Sequence, residues 1–239
     1  MACPRNSPEF AKPLVSLAAK AENAKWYLVA WALVRLHLAF VPNDYVGLCL
    51  LARCHYYRNN DRAADLTYRR AIRVDPGLLR AHMGLGQLHY YNAIRLVREC
   101  LILPDRAYLF RNELPAEEYN LKDMPSALHC SSADQMVANR NVAIKELEAA
   151  ADLESDSDVV IRCLDMAASM LCEQSKHRQA VQLYKRILAM DQGMATAHMH
   201  LAGCCAEIGW HNRAREEYEW LRAHAPELAE AILPHLRSS

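Results

Sequence analysis

The sequence predicts an all-α protein built from stacked helical hairpins, and three observations carry that expectation. Glycine is scarce, seven among 239 residues against an average near 7%, which disfavours a turn-rich β protein. Small and apolar residues recur in steps of three and four, the helical spacing, rather than in steps of two. The pattern then returns at a single interval of about 34 residues.

Residues 1–10, "MACPRNSPEF", read as an N-terminal tail with no secretory apolar region. Three units follow over 11–104. In the first, Leu14, Leu17, Ala18 and Ala21 form one helical stripe, and Ala30, Val34, His37 and Pro42 mark a second helix and its end. The second unit repeats this with Leu48, Leu51, Ala52 and His55, then Ala64, Tyr68, Ala71 and Pro76. A small residue beside a large one lets neighbouring helices approach closely, while the aromatic of the following helix fills the gap. Pro or Asp then stops the helix. The third unit opens with His82, Leu85, Gly86 and His89, but its next small residue, Ala93, arrives five positions early. The stretch "HYYNAIRLVREC" therefore either turns abruptly at Asn92 or runs on as one long helix, and the abrupt turn, in a shortened unit, is the favoured expectation.

From 105 to 124 the repeat disappears. Tyr108, Phe110 and Tyr119 stand among charges, and prolines occupy 104, 115 and 125. This reads either as a surface insertion or as an ordered segment that docks on its own groove or on a partner. Three further units are expected over 125–228. The stretch "NVAIKELEAAADLES" restores the second-helix pattern through Ala143, Leu147, Ala150 and Ser155, with its partner helix expected in "PSALHCSSADQMVAN". Leu164, Ala167, Ala168 and Leu171 precede Ala180, Tyr184, Ile187 and Gln192. His198, Leu201, Ala202 and Cys205 precede Ala214, Tyr218, Leu221 and Pro226. The segment "ELAEAILPHLR" reads as a capping helix that ends, with a short tail, within 229–239.

These anchors at this interval resemble the tetratricopeptide repeat, a helix-turn-helix unit, over nearly the whole chain. The match is tightest at 195–228 and loosest at 11–44. The resemblance implies a right-handed superhelical solenoid of antiparallel helix pairs, about six units, whose first helices line a concave wall. The wall positions fall on Val46, Cys49, Arg53 and Tyr56, on Arg80, Met83, Gln87 and Tyr90, and on Arg162, Asp165, Ser169 and Cys172. Arg53, Tyr56, Arg80, Met83, Gln87 and Tyr90 are the candidate partner-binding residues, because binding surfaces favour Arg, Tyr and Met. Arg53 and Arg80 could hold a partner carboxylate through paired donors. The alternative is an ordinary solvated wall. The carboxylate clamp of the chaperone-binding members is absent: Ser16 follows Lys12 where Asn is required, and the second unit offers Cys49 and Leu50.

One segment invites a catalytic or metal reading. "CCAEIGWHNRA" holds two thiols, a carboxylate and an imidazole between Cys204 and Ala214. Yet Cys205 occupies an apolar anchor position, Gly209 ends one helix, Ala214 begins the next stripe, and His211 falls beside the turn. These are packing and surface roles. His198 and His200 are two apart and point to different helix faces, and His82 and His89 share the packing stripe. None of the nine cysteines makes a C-x-x-C pair, and no phosphate loop or Ser/His/Asp order occurs. The sequence thus predicts no catalytic residue, no metal, no cofactor and no enzyme activity.

Charge balances to zero overall but not locally. Residues 1–104 carry 14 Lys+Arg against 7 Asp+Glu, and 105–239 carry 14 against 21. This asymmetry favours a protein partner with an acidic segment, or head-to-tail self-association weakened by salt. Arg69, Arg70 and Arg73 raise RNA as an alternative partner, disfavoured because no stacking aromatics interleave with them. The most apolar run, "WYLVAWALVRLHLAFV", has sixteen residues and carries Arg35 and His37. A spanning helix needs about 20, so a buried soluble helix and no membrane insertion are expected. Unpaired thiols suit a reducing compartment, cytoplasmic or nuclear. The function these features imply is a non-enzymatic adaptor or scaffold subunit of a multiprotein assembly, binding a partner peptide or helix in the concave groove. An RNA-binding helical-repeat protein is the alternative.

Overall fold

The computed structural model describes residues 11–101 and 130–237, and every regular element among them is an α-helix. The order is α1 (Ala11–Asn23), α2 (Tyr27–Phe40), α3 (Tyr45–Tyr57), α4 (Asp61–Val74), α5 (Leu79–Leu101), α6 (Cys130–Leu153), α7 (Ser157–Glu173), α8 (His177–Met190), α9 (Ala195–Glu207), α10 (His211–His224) and α11 (Pro226–Arg237). The chain divides into two compact units, Met1–Leu88 and His89–Ser239, with the boundary inside α5. Within each unit a helix packs chiefly on its neighbours in the chain, the pattern of a helical solenoid.

Four hairpins, α1/α2, α3/α4, α7/α8 and α9/α10, close with one turn. Lys25, Asn59, Ser175 and Gly209 adopt left-handed φ values of 62°, 56°, 57° and 77°. The next N–H, from Trp26, Asn60, Lys176 or Trp210, reaches back to the carbonyl of Ala21, His55, Leu171 or Cys205 at 2.8–2.9 Å. This is the Schellman closure, which satisfies carbonyls that a helix end leaves orphaned. The following helices start on side-chain caps where the sequence supplies them. Asp44 accepts from the Gly47 N–H at 3.0 Å, Asn60 from Ala63 at 3.2 Å and Asp156 from Asp158 at 3.0 Å.

The small anchors lie inside: Ala30, Ala64, Ala180 and Ala214 are all buried. In the first unit the Tyr68 ring covers Gly84, where a Cβ would stand 2.5 Å from it, so the glycine is required by packing. In the second unit α11 closes the array as expected, with Ala229 and Ile232 against Met199, Ala202 and Leu221.

Two expectations need correction. The chain does not turn at Asn92: α5 runs through it as one helix of 23 residues. No Gly or Pro stands there to end it, Asn92 makes no cap, and Ala93 is buried on the continuing stripe. Nor are "PSALHCSSADQMVAN" and "NVAIKELEAAADLES" separate helices where described, since α6 passes through both. The residues that would have formed the turn are instead buried and paired. Asn139 accepts from the His89 ring N–H at 2.8 Å, and Arg140 meets Glu173 of α7 at 2.5 Å. The expected insertion at 105–124 lies outside the described residues, as does the tail at 1–10.

Candidate functional site

The expected partner-binding residues fall into both units. In the first, Arg53 projects from α3, half exposed, and its guanidinium meets the buried Glu22 carboxylate of α1 at 2.6 Å. The acid it holds is therefore the chain's own. Arg80, on the first turn of α5, is exposed and has no carboxylate partner among the described residues. Burial pushes the Cys49 thiol up to about 11, and Arg80 and then Arg53 oppose it, so both arginines flank that thiol. Tyr56 rests edge-on against Tyr57 with centroids 5.4 Å apart, and Met83 and Gln87 are partly buried. Tyr90 belongs to the second unit. Burial raises its phenol pKa, opposed by a hydrogen bond with Ser169.

The second unit holds a constellation that no single stretch of sequence announces. Cys172 lies in the last turn of α7, His177 is the first residue of α8, and Cys204 sits within α9. The two Sγ atoms are 3.2 Å apart, and the three donor atoms all lie within 4.8 Å of one another. They border a cavity of about 280 Å³, whose wall also includes His200, Gly203, Glu207 and, from α11, Ile232. The Cys172 thiol is brought down to about 5. Its first cause is the Cys204 S–H, which hydrogen-bonds to the Cys172 sulfur; burial opposes this, and His177 assists. Cys204 is pushed up for the reciprocal reason. Tyr184, wholly buried, stacks on His200 at 5.4 Å, and its hydroxyl has no hydrogen-bond partner. Burial first, then Cys172, raises that phenol.

Sequence reasoning missed this grouping because each member reads innocently at its own repeat position. Cys172 falls on a wall position, His177 beside a turn and Cys204 next to an anchor. The signal that could have found it is the same corner compared across adjacent repeats. The other residues of the "CCAEIGWHNRA" segment behave as expected: Cys205 is buried and His211 is exposed. His198 is structural too. Its Nδ1 meets Glu217 at 2.5 Å, its Nε2 meets the Gln192 carbonyl at 3.0 Å, and Arg213 completes the group at 2.6 Å from Glu217.

No protein-family model matches the chain, and no curated protein matches it in sequence. Solved structures do. MamA superposes with a TM-score of 0.58 at 13% identity, over 89% of this chain and 96% of that one. YrrB, a TPR protein with an unusual peptide-binding site, gives 0.54 at 14% identity over 94% and 87%. The chain has the tetratricopeptide-repeat fold. PilF of Pseudomonas aeruginosa is also similar to this TPR array, with a TM-score of 0.55 at 13% identity over 90% and 76%. Among the described residues of the array, no helix is long and apolar enough to cross a membrane.

Proposed function

We propose that the chain is a non-enzymatic adaptor or scaffold subunit, holding an extended peptide or helix of a protein partner against the α3/α5 face of its first unit. The observation that carries this reading is Arg80, an exposed guanidinium without an internal carboxylate, on a face shared with Arg53 and near Tyr56 and Met83. Such a face suits an acidic segment, which Arg80 would grip through paired donors while the tyrosine and methionine supply contact area. A peptide-binding site in the similar YrrB supports the same use of the fold. RNA binding is less favoured, because part of the basic helix is already engaged. Arg69 pairs with Asp65 at 2.8 Å, and Arg70 donates to the Pro42 carbonyl at 2.7 Å.

Affinity purification of the full chain with mass spectrometry identifies the partner. Arg80→Glu is then expected to weaken its capture at least tenfold while helicity is unchanged. Equal capture by wild type and Arg80→Glu would remove this face from the interaction.

A further inference from the structure

We infer that Cys172, His177 and Cys204 form a binding site for one zinc-type metal ion. The inference is independent of the partner-binding reading. Two sulfurs and one imidazole nitrogen form a donor set suited to a borderline-soft ion such as Zn²⁺, and without carboxylate they do not suit Mg²⁺ or Ca²⁺. Geometry supports it. Around a tetrahedral ion with bonds of about 2.0–2.3 Å, donor atoms lie roughly 3.5–3.8 Å apart. Here the sulfurs are 3.2 Å apart and the whole set lies within 4.8 Å. Binding therefore asks the sulfurs to part by about half an ångström and the ring to close by up to about one, changes within reach of small χ adjustments.

Four further features belong to a site rather than to chance packing. The donors come from three elements, α7, α8 and α9, so the fold itself brings them together. Among the described residues no other group of three His, Cys, Asp or Glu donors converges so closely. The fourth side faces the cavity, which supplies both an entry path and room for a bound water, with His200 and Glu207 on its wall. Beside Cys172 stands the buried Tyr184 hydroxyl, a donor placed to reach a metal-bound thiolate. Outer donors of this kind orient a ligand and tune its affinity. Loading deprotonates the thiols and joins two adjacent repeats through their side chains.

The test is a Co²⁺ titration of the full chain, reduced and stripped with chelator, followed by Zn²⁺ displacement. The expected result is one equivalent of Co²⁺ giving thiolate charge-transfer absorption and the intense visible bands of tetrahedral cobalt, both bleached by Zn²⁺. Cys172→Ser/Cys204→Ser removes the bands, Tyr184→Phe weakens binding about tenfold, and Cys49→Ser leaves both spectrum and affinity unchanged. Zn²⁺ raises the melting temperature of wild type but not of the double variant. Absence of the bands in folded wild-type protein overturns the proposal. So does their persistence in Cys172→Ser/Cys204→Ser, or conversion of the pair to a disulfide with no metal uptake.

Discussion

Two corners of the molecule stand at the same repeat positions and do opposite things. Glu22, Tyr27 and Cys54 in the first unit correspond to Cys172, His177 and Cys204 in the second, each pair separated by one identical offset. Arg53 corresponds likewise to Gly203, and Tyr57 to Glu207. The first corner is filled from within. Arg53 meets Glu22 at 2.6 Å, Tyr27 stacks on Tyr57 at 4.4 Å, and burial, then Glu22, pushes the Cys54 thiol up to about 11. The second lacks the arginine, and a cavity opens where Gly203 has no side chain. One backbone turn thus supports either a self-satisfied ion pair or an open pocket of soft donors. The choice lies in a few side chains.

The largest expected effect breaks the filled corner. Arg53→Ala leaves the Glu22 carboxylate buried without its cation, a destabilisation of about 2–3 kcal/mol. That is below the roughly 3–5 kcal/mol of a fully buried pair, because Arg53 is half exposed and water can follow. Urea unfolding measures it, and adding Glu22→Gln should recover most of the loss. A single variant as stable as wild type would show that the pair contributes nothing.

The converse change fills the open corner. At Gly203 a Cβ would meet the flexible end of Ile232 at 3.3 Å, so a side chain can enter only by displacing it. Gly203→Arg is expected to destabilise by about 1–3 kcal/mol, bringing a guanidinium into a cavity without the partner its counterpart has. Gly203→Arg/Cys172→Glu rebuilds the ion pair of the first unit and should regain at least half of that. A double-mutant cycle reads the coupling directly. Strict additivity would mean that the two corners are not equivalent.

The repeat was legible because packing is written locally: Ala64 and Tyr68, or Ala214 and Leu221, sit on one stripe whatever lies elsewhere. The turn at Asn92 was misread because helix continuation depends on what the would-be turn residues find to bury against. Neither that nor the pairing of Asn139 with His89 is visible in spacing. The thiol corner was illegible for a third reason. Its donors are neighbours in space but fall in two adjacent repeats, so the segment from Cys204 to Ala214 holds Cys204 without the Cys172 and His177 that complete the group, and it draws the eye instead to Cys205 and His211, which are not members.

A smaller difference concerns protons at matched anchor positions, His55 in the first unit and Cys205 in the second. Burial lowers the His55 pKa, assisted by Arg58 and Arg35. As pH falls through the unfolded value of about 6.5, the unfolded chain therefore takes up a proton that the native ring resists. Stability is intact above that pH and declines below it, with a slope of at most about 1.4 kcal/mol per pH unit. His55→Cys, which installs the second unit's residue, should flatten this acid limb of the urea midpoint. An unchanged slope would mean that His55 protonates in place.

The smallest effect tests whether both corners rest on one turn. Lys25 and Ser175 hold left-handed φ at the point where Gly209 does so without a Cβ. A side chain there carries a local strain that glycine avoids, partly offset by glycine's greater freedom in the unfolded chain. Lys25→Gly and Ser175→Gly should each stabilise by about 0.5–1 kcal/mol, and Gly209→Ser should destabilise by a similar amount. Because Ser175 lies between Cys172 and His177, the glycine variant also reports on the pocket. If the turn alone positions the donors, Ser175→Gly leaves Co²⁺ affinity within twofold, whereas a larger loss would make the serine backbone part of the site's rigidity.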